Sequence, residues 1–171
     1  MRNSKQKGYS IIEMVVYLSI FAIMSVVVIN SFIVILKSFN TSRINRNLLE
    51  SGSIAMERIG REIRETKTIN VANSTFGTNP GILQLDSLNV TGYPDSVIRF
   101  VVSNGALNIY ENGVLIGNLL GQNVTVSSLI FRRMTNTNSE AIKIEMTLQT
   151  VSGNTTRLEN FYSTVVLRGL Y

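Results

Sequence analysis

From Met14 to Leu36 the sequence runs for 23 residues without a charged side chain. Wound as an α-helix, that stretch reaches roughly 35 Å, enough to cross a bilayer hydrocarbon core of about 30 Å. Ser25, Asn30 and Ser31 are among its polar interruptions. They are mild ones, because hydroxyls can bond back to their own helix. With 171 residues the chain has room for one domain plus an appended helix. Apolar weight is concentrated between Ile11 and Leu36, while the remainder is rich in Asn, Ser and Thr. That asymmetry predicts a chain built for two solvents.

The residues ahead of the run decide what kind of segment it is. Arg2, Lys5 and Lys7 make a short basic leader that ends at Gly8, before the apolar run begins. An ordinary secretory signal would carry an apolar stretch of roughly 7–15 residues closed by a small-residue cleavage site. Here the stretch is too long and no Ala-x-Ala-like site closes it. The leader also explains the formal charge of +5. Without its three cations, basic residues would outnumber the 11 acidic ones by about two, too little to steer a polyanion.

Beyond Leu36 the helical pattern continues. Ile44, Leu48, Ala55, Ile59 and Ile63 recur at three-, four- and seven-residue steps and mark one apolar stripe. Glu57 with Arg61 and Arg58 with Glu62 are candidate i,i+4 ion pairs. Gly52 and Gly60 each weaken a helix by up to about 1 kcal/mol. The pattern predicts one helix over about residues 10–66, apolar all round in its first half and amphipathic in its second.

Residues 70–81 then read as a loop containing Pro80. Alternation follows at 82–86, 97–103, 106–111, 114–119, 124–134, 141–151 and 157–167. Asn104-Gly105 and Asn112-Gly113 are type I′ hairpin turn signals. The expected fold class is α+β: a long N-terminal helix whose amphipathic half packs on an antiparallel β-sheet. The expected organisation is a leader over 1–8, a membrane and assembly half of the helix over 9–36, and a head over 37–171.

Enzyme chemistry finds no foothold. The sequence has no Cys and no His, which removes thiol nucleophiles, thiolate metal sites, disulfides and His-based triads. No catalytic residues, metal ligands or cofactors are expected. Asp86, Asp95, Glu140 and Glu145 are scattered rather than gathered in a calcium-type loop. Arg132 and Arg133 are neighbours on an expected strand and point to opposite faces, so they make no single basic patch. Nucleic acid is not an expected partner. Asn89, Asn123 and Asn154 begin Asn-x-Ser/Thr triplets of a kind that arises by chance in so polar a chain. The glycines from Gly113 to Gly121 serve turns, with no strand–Gly-rich loop–helix unit around them.

Glu13 is the residue that does not belong. It places a carboxylate two residues into the apolar stretch that begins at Ile11. At mid-bilayer an acid costs on the order of 2.5–3.5 kcal/mol, and less near the interface. Taken alone, Glu13 could sit at headgroup level. Beside Gly8 it gains a second meaning. Cleavage between Gly8 and Tyr9 would create an ammonium at the positive end of a helix dipole, in a poorly solvating medium. Glu13, one turn away, could neutralise its own amine or that of a neighbouring helix, giving apolar helix contacts a register.

The series Gly8-Tyr9-Ser10-Ile11-Ile12-Glu13-Met14-Val15 resembles the processing motif of type IV pilins and type II secretion pseudopilins. The resemblance covers about residues 2–30. It implies cleavage after Gly8 by a prepilin peptidase, N-methylation of Tyr9, and a docking role for Glu13 in a filament. The usual first mature residue is Phe, and Tyr9 keeps the aromatic character. The ending Phe161-Tyr162-Ser163-Thr164-Val165-Val166-Leu167-Arg168 resembles the last strand of minor pilins of the J-type pseudopilin and W-type pilin group. The C-terminal disulfide loop frequent in major pilins is missing, which leans toward a minor or pseudopilin role.

Two functional classes follow. One is a filament subunit whose partners are other pilin or pseudopilin subunits, the prepilin peptidase, an inner-membrane assembly platform and membrane lipid. The other is a single-pass membrane-anchored β-rich binding or adhesion module, which needs neither cleavage at Gly8 nor a role for Glu13. Charge placement barely orients the helix, because Lys37, Arg43 and Arg46 follow it as Arg2, Lys5 and Lys7 precede it. A head outside the cytoplasm, first on the inner membrane and then on a filament, is what the resemblance implies.

Overall fold

The computed structural model describes residues 10–87, 96–136, 139–152 and 155–167. Helix α1 spans Ile11–Glu65, within a residue of the predicted bounds at each end. The chain divides into two compact units, Met1–Arg43 and Ile44–Tyr171.

In the first unit α1 is long and apolar enough to cross a membrane, and its large hydrophobic side chains from Ile11 to Phe39 are exposed. Its hydroxyls turn inward on the backbone. Ser19, Ser25 and Ser31 donate to the carbonyls of Val15, Phe21 and Val27 at 2.8, 2.8 and 2.9 Å. Thr41 does the same to Lys37 at 3.0 Å.

In the second unit the helix shows the expected stripe. Leu48, Ala55, Ile59 and Ile63 are buried, Ile44 is half-buried, and Ser51, Gly52, Gly60 and Glu62 are buried with them. Of the two candidate pairs, Arg58–Glu62 closes at 2.8 Å. The helix stops at Glu65, and the Thr66 hydroxyl caps it by donating to the Glu62 carbonyl at 2.7 Å.

Eight strands follow. β1 (Thr66–Ile69), β2 (Leu83–Ser87), β3 (Ser96–Ser103), β4 (Ala106–Glu111) and β5 (Val114–Asn118) form one antiparallel sheet in that order. β6 (Val124–Asn136), β7 (Ser139–Ser152) and β8 (Thr155–Val166) form a second. Both predicted type I′ turns are present: Asn104 and Gly105 have φ of 51° and 76°, and Asn112 and Gly113 have 49° and 81°. The connection from β5 to β6 is not a two-residue hairpin; it is longer and turns at Gly121, whose carbonyl accepts the Val124 N–H at 3.4 Å. Leu120 is buried, and the Gly121 N–H donates to the Ser51 hydroxyl on the helix at 3.2 Å. A Val126 N–H to Gly105 carbonyl bond of 2.8 Å stitches the sheets together.

Alternation sorts the faces. Leu83, Leu85, Ile98, Phe100, Leu107 and Ile109 point inward from the first sheet. Leu129, Phe131, Ile142, Ile144, Met146 and Leu148 do so from the second. These side chains join the helix stripe in one hydrophobic core. Helix and second sheet approach closely at Gly52, where a Cβ would lie 2.1 Å from the Phe161 ring. Gly52 is therefore a contact point, and only Gly allows that approach.

Candidate functional site

The residues that bear on function lie at the start of α1. Ser10 precedes the helix, and its carbonyl accepts the Met14 N–H at 3.2 Å, so the first turn is closed. Glu13 sits in that turn, where the helix dipole favours a carboxylate. Its Oε1 accepts from the Tyr17 hydroxyl at 3.3 Å. That distance is long for an O–H···O bond, so Tyr17 steers the carboxylate without engaging it fully. Both side chains are exposed.

Tyr17 is not paired with Glu13 in the sequence analysis. The i,i+4 spacing of an acid and a phenol on one helix face was the available signal. Phe21, one further turn along, is exposed. Gly8 and Tyr9, the expected cleavage pair, lie outside the described residues. The span Met14 to Leu36 lies wholly within α1.

This arrangement places an exposed acidic side chain at the start of an apolar helix. The chain matches the prokaryotic N-terminal methylation motif over residues 3–29. The matched residues include Lys5, Lys7, Gly8, Tyr9 and Glu13, and run into the apolar half of α1. No curated protein and no solved structure matches the chain.

Elsewhere several charged residues are tied into the fold. Arg132 donates to Glu145 at 3.1 Å, and Lys143 shares the same carboxylate oxygen at 2.8 Å. The Lys143 hydrogen bond, seconded by Arg132, holds the Glu145 carboxyl below its ordinary range. Arg133 bonds Glu140. In register, Arg132 stands opposite Lys143 and Arg133 opposite the buried Ile142, so the two arginines occupy opposite faces of the sheet. Glu62 is different. Burial pushes its carboxyl above the ordinary value, against the pull of Arg58. Among the described residues, no group of three or more acidic side chains could hold a metal ion.

Proposed function

We propose that the chain is the precursor of a filament subunit of the type IV pilus or type II secretion type, and within that class a minor pilin or pseudopilin. A prepilin peptidase cuts between Gly8 and Tyr9, the new Tyr9 amine is methylated, and the apolar half of α1 becomes the assembly spine. The head stands outside the cytoplasm. No residue acts as a catalyst.

The observation that carries this reading is the coincidence of the methylation motif at residues 3–29 with an exposed apolar helix holding Glu13 in its first turn. Loss of the leader leaves an ammonium four residues before Glu13. In lipid, two such charges are far more stable paired than apart. When helices stack with an axial offset, the amine of one reaches the carboxylate of the next. Apolar surfaces alone give no preferred offset, and the charge pair supplies one.

The test is Glu13→Leu, co-expressed with the wild-type chain in a host that assembles such filaments. The variant is expected in the membrane at wild-type level or above, because a desolvation cost has been removed, and it is expected to be missing from sheared filaments. Normal incorporation of membrane-inserted Glu13→Leu would contradict the pairing.

A further inference from the structure

One polar side chain in the apolar half of α1 stands apart from the others. The hydroxyls of Ser19, Ser25 and Ser31 are satisfied by their own helix. The Asn30 amide, which both donates and accepts, is exposed and has no hydrogen-bond partner among the described residues. Asn30 lies five residues beyond Ser25, the midpoint of Met14–Leu36. That is about 7.5 Å along the axis, inside a hydrocarbon half-thickness of about 15 Å. Lipid tails cannot bond an amide, and a polar side chain on a second helix can.

The side chains around Asn30 indicate how a helix would approach. Val27, Asn30, Ser31, Val34 and Ile35 line a shallow groove along α1. At about 100° per residue, Val27 and Val34 flank Asn30, while Phe21, Phe32 and Phe39 fall on the opposite face. Val27, Ser31 and Val34 on the groove side of Asn30 are less bulky than the phenylalanines on the opposite face, so two backbones can approach more closely there.

We propose that this face pairs two copies of the chain within the membrane, Asn30 against Asn30. A second copy is the occupant that the chemistry favours. Inserted in the same way, it brings an identical amide to an identical depth. Each amide then donates to the carbonyl oxygen of the other, closing a reciprocal pair of hydrogen bonds. The inference rests on Met14–Leu36 spanning the membrane and is independent of cleavage at Gly8.

The chain has no Cys, so single cysteines can report the seam in the full-length protein. Val27→Cys and Val34→Cys are expected to cross-link into homodimers on oxidation of native membranes, and Phe32→Cys is not. Adding Asn30→Leu should weaken association about three- to thirtyfold, the range for one interhelical hydrogen-bond pair, while Asn30→Gln should retain part of it. Equal cross-linking from both faces, no cross-linking, a product with a protein of another mass, or indifference to Asn30→Leu would each overturn the pairing. Alkaline extraction runs alongside: release of the wild-type chain from the membrane would overturn the span itself.

Discussion

Two glycines on the same stretch of α1 predict opposite responses to the same substitution. Gly52 and Gly60 both sit on the buried face of the helix, and in an isolated helix Ala would be better than Gly by about 0.8–1.0 kcal/mol at either site. Their surroundings differ. A Cβ at Gly60 would meet its nearest neighbour, Val165 Cγ2, at 3.5 Å, an ordinary contact. A Cβ at Gly52 would lie 2.1 Å from Phe161 Cζ and 2.4 Å from both Cε atoms. Carbon atoms rest about 3.5–4 Å apart, so the Phe161 ring would have to withdraw by roughly 1.5 Å.

Overpacking of this kind costs about 1–3 kcal/mol, which outweighs the helical gain. Gly60→Ala is therefore expected to raise stability by up to about 1 kcal/mol. Gly52→Ala is expected to lower it by about 1 kcal/mol, net of the same gain. Urea midpoints of the full chain in detergent, followed by near-ultraviolet tyrosine signals, would read both. In a double-mutant cycle, Phe161→Leu should relieve Gly52→Ala, with a coupling of at least about 0.5 kcal/mol. Gly52→Ala as stabilising as Gly60→Ala, or additive with Phe161→Leu, would refute the close-approach reasoning.

Three further outcomes are expected. Because burial raises the folded Glu62 carboxyl above its ordinary value of 4.5, the folded chain binds a proton more tightly there than the unfolded one. The Glu62 contribution is therefore most favourable below about pH 4.5 and declines as pH rises through the elevated folded value. Glu62→Gln should remove that part of the pH slope in urea midpoints, and an unchanged slope would count against it. Gly113→Ala should cost about 1 kcal/mol through backbone conformation alone, since Gly113 has φ +81° with nothing within 4 Å. Gly117→Ala, equally open and not at positive φ, should be neutral or slightly stabilising in the same assay. Gly8→Ala should leave the leader attached in a host that contains a prepilin peptidase, and efficient shortening seen by mass spectrometry would refute the cleavage position.

Local pattern made much of this fold legible. The helix ended where its apolar stripe ended, and the seven alternating segments all became strands, because alternation and Asn-Gly turns act over a few residues. What remained hidden depends on distant contacts. β1 follows the helix directly, and its short Thr66–Ile69 run carries little alternation, so it is a strand only because β2 pairs with it. Between the two sheets Leu120 is buried and Gly121 meets the helix seventy residues earlier in sequence, at Ser51. Gly52 read as a weak point of the helix, since nothing local reveals the Phe161 ring above it. At the candidate site Glu13 stood out by being charged in an apolar run, whereas its bond to Tyr17 depends on side-chain direction.

The most direct measurement is the intact mass of the protein taken from the membranes of a host with the processing machinery. The mature chain is expected to lack residues 1–8 and to carry one additional methyl group on Tyr9. A functional, filament-borne chain with the mass of all 171 residues would contradict it, because Glu13 would then face no new ammonium.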